Sequence, residues 1–182
     1  MRKRITKPFS FNSVDVNEWR IFWKWCCSQV LTNETLRQAV DRMPTDTMWL
    51  HSDPIYGPMS DWDVSNVTDM SGLFADKYLD FNEDISGWDV SNVTNMSRMF
   101  ESARSFKFLI GHGGGIGAWD VSKVTDMSRM FHDARGFNMD ISGWDVSNVK
   151  NMYMMFNNAR AFNADIGGWD VSNVTDMRYM FA

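Results

Sequence analysis

The chain has 182 residues and carries 18 Lys and Arg against 23 Asp and Glu, which gives a formal net charge of −5. An acidic chain lacks the positive field that attracts duplex nucleic acid or an anionic membrane, so we expect neither as a partner. Its only cysteines, Cys26 and Cys27, are neighbours, which excludes a disulfide framework and does not match the spacing of a zinc site.

Helical spacing of apolar residues marks the first part of the chain, from Val14 to about Met43. The pattern predicts two short helices, and the oxygens of Thr32 or Asn33 can accept hydrogen bonds from the amides that begin the second. Polar residues interrupt the first apolar stretch and no cleavage signature follows it, so we predict neither a signal peptide nor a membrane-spanning helix. We predict that residues 1–57 form a helical cap, because the first unit of a repeat stack would otherwise expose its apolar face.

From residue 58 onward the segment W-D-V-S-x-V occurs five times, and each copy has a Phe twelve residues after its Trp. Successive Trp residues are 26, 31, 25 and 25 positions apart, which is typical of stacked-repeat proteins with a unit of about 25 residues. We therefore predict that residues 58–182 form a solenoid rather than an enzyme built around a pocket. The copies begin at Trp62, Trp88, Trp119, Trp144 and Trp169.

Aligned units carry the same apolar residue types at the same offsets, which predicts one core shared along the stack. V-S-x-V-x-x-M favours a short parallel strand, and M-S-x-M-F favours a helical turn. Parallel strands lie about 4.8 Å apart, so each Met or Phe should contact its own kind in the next unit. Core packing then explains the 15 Met residues without a cofactor or a methionine-bound metal. The first Phe column is Phe74, Phe100, Phe131, Phe156 and Phe181, and the second is Phe81, Phe106, Phe137 and Phe162.

The string W-D-V-S-N-V-T-D-M-S-x-L/M-F, followed by A-x-x-F-N-x-D-I-x-x-W, resembles the BspA-like leucine-rich repeat family. The module of that family is also catalogued as a domain of unknown function in mycoplasma surface proteins. The resemblance covers residues 59–182, and residues 35–58 are similar to the segment that precedes the first repeat. It implies an α/β solenoid that is right-handed and leucine-rich-repeat-like, with a role in adhesion or protein binding. It implies no catalytic residue and no cofactor.

The chain departs from this family pattern in three places. The family suggests a cell-surface or secreted location, but no secretion or lipoprotein signal is evident. Ten residues separate Phe106 from Ile116 where other units have four, and the extra residues are rich in Gly. The sequence stops within a repeat, at Phe181 and Ala182, so we also expect self-association through this uncapped end.

Few residues suggest catalysis. His112-Gly113-Gly114-Gly115 copies the oxyanion-loop string of esterases, but the chain has no G-x-S-x-G nucleophile elbow. We interpret this segment as a surface insertion. His51 and His132 have no carboxylate or Cys at a useful local spacing, and we expect both to face solvent. We therefore predict that the protein is not an enzyme.

Stacked units also stack a column of carboxylates, and like charges about 5 Å apart repel by about 1 kcal/mol even in water. The favoured interpretation is that each Asp accepts hydrogen bonds from amides of its D-V-S-x turn. The alternative is a calcium ladder, because carboxylates and turn carbonyls are the hard oxygen ligands that calcium prefers. The column consists of Asp63, Asp89, Asp120, Asp145 and Asp170.

Two sets of basic residues recur in the repeats and are our candidates for binding a protein partner. One set stands at the A-R-x-F position and runs beside an acidic row, whereas the other varies between units on the M-S-x-M-F turn. Ion pairing between the rows that only keeps this face soluble is the simpler interpretation. The first set is Lys77, Arg104, Arg135 and Arg160, the acidic row is Asp84, Asp140 and Asp165, and the second set is Arg98, Arg129 and Arg178.

The sequence as a whole predicts a non-enzymatic protein-interaction or adhesion module. A calcium-stabilised extracellular structural repeat is the alternative, and a hydrolase is a distant third.

Overall fold

The computed structural model describes residues 30–42, 57–76, 83–104, 106 and 115–182. Within these ranges the chain forms one α-helix and two 3₁₀ helices, and the remainder is irregular structure and turns around a large buried aromatic cluster. Helix α1 is Asn33–Asp41, and the 3₁₀ helices are Met59–Asp61 and Gly115–Ala118. The first predicted helix lies outside the described residues, as do Cys26, Cys27, His51, Lys77 and His112.

Helix α1 begins at the predicted N-cap. The Thr32 hydroxyl accepts a hydrogen bond from the Thr35 amide at 3.3 Å, and the Thr35 hydroxyl accepts one from the Thr32 amide at 2.8 Å. This reciprocal pair satisfies amides that have no partner inside the helix. Leu36, Ala39 and Val40 form the buried face of α1.

That buried face belongs to the same apolar cluster as the repeats, so α1 covers the first repeat. The Asn33 side-chain oxygen accepts a hydrogen bond from the Thr68 amide at 2.9 Å, and Arg37 Nη1 donates to the Ser71 carbonyl at 2.7 Å. In a later unit, the amide equivalent to that of Thr68 donates to the unit before it, as Thr94 does at 2.9 Å. Helix α1 thus supplies the partners that a preceding repeat would supply.

At every junction four amides of one repeat donate to main-chain carbonyls of the next repeat, and at least one amide of the next repeat donates back. One parallel bridge per junction accompanies them, where the sequence predicts a strand. No β-strand forms in the described ranges, because pairing is confined to these single bridges. In the first junction, the amides of Met70, Gly72, Phe74 and Asp76 donate to the carbonyls of Asn95, Ser97, Met99 and Glu101, at 2.8–3.0 Å.

The M-S-x-M-F segment is a run of tight turns and not the predicted helical turn. The residue two positions after the first Met of this segment has a φ between 55° and 61° in every unit. A left-handed residue cannot continue a right-handed helix. Every second amide therefore donates to the next unit, while the amides between them close local turns, as from Met99 to the Met96 carbonyl at 3.2 Å. The residues with a positive φ at this position are Gly72, Arg98, Arg129, Met154 and Tyr179.

The described Phe residues of both columns lie in the core except near the C-terminal end of the stack, where Phe162 is partly buried and Phe181 is exposed; Phe81 lies outside the described residues. Phe131 stacks between Phe100 and Phe156, with ring centroids 5.6 and 5.7 Å away. These separations exceed the 4.8 Å expected from strand spacing, because offset rings have centroids farther apart than their planes. The second column packs against the first, and the centroids of Phe131 and Phe137 are 3.8 Å apart.

Trp side chains link each unit to the one before it. Trp119 Nε1 donates to the Ile85 carbonyl at 3.2 Å, and the same carbonyl accepts the Trp88 amide at 3.2 Å. Each such carbonyl therefore accepts bonds from two units. The equivalent donors Trp88, Trp144 and Trp169 reach the carbonyls of Met59, Ile116 and Ile141, at 2.8–3.2 Å.

Candidate interaction surface

The aspartates of the W-D-V-S turns are held by the serines two positions later. In each of the five turns the Ser amide donates to Asp Oδ1 at 3.0–3.1 Å. Hydrogen bonds from Ser91 and Ser122 lower the pKa of Asp89 and Asp120 below the usual carboxyl value. The charge of Asp120 opposes this effect at Asp89 but does not reverse it. At these two aspartates the serine side chains, followed by the turn amides, thus outweigh the repulsion within the column, in line with the favoured interpretation.

The calcium ladder stays a prediction. Across the described residues, no group of three or more His, Cys, Asp or Glu side chains is arranged to hold a metal ion.

The acidic row of Asp84, Asp140 and Asp165 also closes its own turns. Asp84 and Asp140 accept from the amides of Ser86 and Ser142 at 3.1 and 3.0 Å, and Asp165 accepts from the Gly167 amide at 2.9 Å.

The first basic set is organised by a carboxylate that the sequence did not indicate. Asp133 is 7% exposed, and its two oxygens accept from Arg104 Nε and Arg135 Nε, each at 2.9 Å. Burial raises the pKa of Asp133, but the hydrogen bonds from Arg135 and Arg104 outweigh it and leave that pKa below the usual value. Asn158 Nδ2 donates to the same carboxylate, and Arg160 Nε donates to Asn158 Oδ1 at 3.0 Å.

A second buried carboxylate lies beneath two members of the other basic set. Glu101 is 5% exposed; it accepts from Arg98 Nε and, at 3.4 Å, from Arg129 Nη1. The hydrogen bond to Glu101 raises the pKa of Arg98. His132 Nδ1 lies 3.3 Å from Glu101 Oε1 and is buried, so the expectation that His132 simply faces solvent is wrong. The carboxylate comes from the preceding repeat, which local spacing in the sequence does not reveal.

The resulting surface presents arginines above buried acids. The side chains of Arg98 and Arg104 are 54% and 47% exposed, whereas those of Glu101 and Asp133 are 6% and 11% exposed. We call the six residues Arg98, Arg104, Arg129, Arg135, Arg160 and Arg178 the arginine surface. Solvent therefore meets guanidinium groups here, although the whole chain is acidic.

Two tyrosines extend the arginine surface toward the last repeat. The guanidinium carbons of Arg129 and Arg178 each lie 5.6 Å from the centroid of the Tyr153 ring. Tyr179 is 61% exposed and meets Tyr153 edge-on at 6.1 Å. Arg178 also donates from Nε and Nη2 to Asp176, at 3.0 and 2.8 Å. We call Arg129, Tyr153, Arg178 and Tyr179 the tyrosine patch. The repeat pattern did not indicate either tyrosine, although Tyr153 replaces the Ser of M-S-x-M-F; Tyr179 occupies its variable position.

The match of this chain to a known protein family covers its repeats. Residues 9–113 and 107–182 match the family described as DUF285, mycoplasma proteins of unknown function. The chain belongs to the DUF285 family. This confirms the family resemblance seen in the repeat sequence. No curated protein and no solved structure matches the chain.

The description of the DUF285 family gives no function, so the surface of the protein is the basis for proposing one. No helix in the described part of this DUF285 chain is long and apolar enough to cross a bilayer. Most of the glycine-rich insertion lies outside the described residues, which resume at Gly115. At the other end, Met177 and Phe181 are 41% and 62% exposed, and self-association through them stays a prediction.

Proposed function

We propose that this DUF285 chain is a non-enzymatic protein-interaction module that serves adhesion, built as a leucine-rich-repeat-like α/β solenoid. Identical hydrogen bonds at every junction and the continuous Phe column support the solenoid, because both need successive units in register. Helix α1 supports the proposal that the first unit of the solenoid is capped, because its apolar face is buried in the same cluster as the repeats.

The arginine surface is the observation that carries the proposal. Arginine is enriched at protein interfaces, and its guanidinium group binds carboxylates in two-pronged geometry. Here Glu101 and Asp133 lie below four of the arginines and hold them by hydrogen bonds, so an approaching partner meets guanidinium groups first. A surface whose charges served only solubility would not need arginines held above buried carboxylates, since exposed ion pairs contribute little to stability.

The state of the buried acids also favours binding over catalysis. A general acid or base must exchange protons near neutral pH. Asp133 instead has its pKa held below the usual carboxyl value, because the bonds from Arg135 and Arg104 outweigh its burial. It therefore stays ionised and supports the positions of the two arginines.

Capture of partners from a cell-envelope lysate tests the proposal. The wild-type chain should retain a partner that an arginine-neutralised variant loses. The control variant removes the same number of exposed charges elsewhere and keeps the side-chain oxygen that its turns need. The test variant carries Arg98→Gln, Arg160→Gln and Arg178→Gln, and the control carries Asp89→Asn, Asp120→Asn and Asp145→Asn.

Circular dichroism should show that both variants are folded before capture is compared. Loss of the partner only in the arginine variant supports the proposal. A partner held equally by both variants, or none held by the wild type, contradicts it.

A further inference from the structure

The tyrosine patch combines backbone strain with exposed aromatic surface. Tyr179 has a φ of 59°, in the left-handed region that disfavours residues with a Cβ, and the equivalent position of the first repeat is Gly72. Its ring is nevertheless 61% exposed, so packing within the chain recovers little of that strain. Every unit has a left-handed residue at this position, so the exposed ring, and not the backbone conformation, distinguishes Tyr179 from its equivalents.

The two arginines of the patch are spaced by the repeat itself. Arg129 and Arg178 belong to the units on either side of the unit that carries Tyr153. Each guanidinium carbon is 5.6 Å from the ring centroid, so the two are at most twice that distance, about 11 Å, apart. Stacked Phe rings of successive units in the core have centroids 5.6–5.7 Å apart, so a step of two units also spans about 11 Å.

We propose that the tyrosine patch binds an extended acidic segment of a partner protein, with carboxylates at positions i and i+3. In the polyproline II form of an extended chain, three residues make one turn and rise about 9 Å, so these two carboxylates lie on the same side of the segment about 9 Å apart. One would bind Arg129 and the other Arg178, while the intervening residues pack on the rings of Tyr153 and Tyr179. This inference rests on the proposed function and names the partner chemistry at one part of the arginine surface.

Charge complementarity favours an acidic peptide over a nucleic acid. Arg178 is 74% exposed, and its bonds to Asp176 use Nε and Nη2, which leaves Nη1 for a second carboxylate. A short acidic segment neutralises the two guanidinium groups and does not extend beyond the patch. A polyphosphate strand would continue past the patch on a protein whose net charge is −5, where repulsion opposes it.

Fluorescence anisotropy with labelled synthetic peptides tests the spacing. The probe is a ten-residue peptide of Ser, Gly and Val with two glutamates three positions apart, measured against the full chain at low salt. We expect binding at least tenfold tighter than that of two control peptides, one with both glutamates replaced by glutamine and one with adjacent glutamates. Equal binding of all three peptides, or tighter binding of a single-stranded octanucleotide, would overturn the proposal.

Variants of the chain separate binding from folding. Tyr179→Gly removes the ring and relieves the left-handed strain, so it should weaken peptide binding at least threefold without lowering the melting temperature. Arg178→Gln should weaken binding by a similar factor, whereas Lys150→Gln, which removes an exposed positive charge outside the arginine surface, should not. A Tyr179→Gly variant that melts at the wild-type temperature or above and binds the probe normally would refute the assignment.

The two proposals fail in different ways. If the peptide does not bind but the lysate partner still depends on the arginines, only the patch assignment fails. If neither experiment depends on the arginines, both proposals fail.

Discussion

Phe131→Ala measures how much the central Phe column stabilises the fold. The Phe131 ring is fully buried, stacks between Phe100 and Phe156 and lies 3.8 Å from the centroid of Phe137. Truncation leaves a cavity that the three packed units around it cannot easily close, so we expect a loss of about 3–5 kcal/mol in the free energy of unfolding. For a chain of this length that loss lowers the melting temperature by roughly 6–20 °C.

Phe181→Ala is the matched control, because it removes the same side chain from the same column where the ring is 62% exposed. Its loss should stay below about 1 kcal/mol, since little apolar area leaves the core. Both variants are compared by urea denaturation monitored by fluorescence and by circular dichroism, since coincident transitions test two-state behaviour. A Phe131→Ala loss below about 1 kcal/mol, or equal losses in both variants, would refute the assignment of this column as the core.

Three further measurements address strain, charge and metal binding. Met154→Gly should stabilise the fold by about 0.5–1 kcal/mol, because it relieves a φ of 55°, whereas Ser128→Gly should destabilise it; equal effects would contradict the strain argument. The pKa of Asp133 is lowered in the folded state, so its contribution is present above the unfolded value and is lost as pH falls through the folded one. The melting temperature should therefore fall more steeply below pH 4 for the wild type than for Asp133→Asn, and parallel profiles would contradict this. Excess chelator should leave the melting temperature unchanged if turn amides suffice for the Asp column, whereas a clear fall would favour the calcium ladder.

The sequence predicts the core well because a residue type that recurs at a fixed offset faces its own copies. Phe131 and Phe137 illustrate this, since both are fully buried where the alignment places them. The turn geometry could not be predicted in the same way. At the position two residues after the first Met of M-S-x-M-F, only Gly72 signals a positive φ by its residue type, whereas Arg98 and Tyr179 adopt the same backbone conformation without any such signal.

The candidate surface was predicted only in part, because its organising acids do not form a column repeated through the units. A basic residue at a repeated offset stands out in an alignment, but Glu101 and Asp133 have no equivalent acid in most units. Their partners lie one repeat away, as Arg104 does 29 residues before Asp133. Scanning for opposite charges at a separation of about one repeat would have found this contact. The same rule would have paired Glu101 with Arg129, 28 residues later.

The lengthened third unit shows where this repeat tolerates growth. Ten residues separate Phe106 from Ile116, yet these two side chains are only 2% and 1% exposed, and Phe106 still stacks on Phe137 at 6.2 Å. Hydrogen bonds join the second and third units on both sides of this segment, from the amides of Met96 to Ser102 before it and from Trp119 and Thr125 after it, so its length does not alter their register. A foreign epitope spliced between Phe106 and Ile116 should therefore cost little thermal stability, which makes this segment a graft point for engineering.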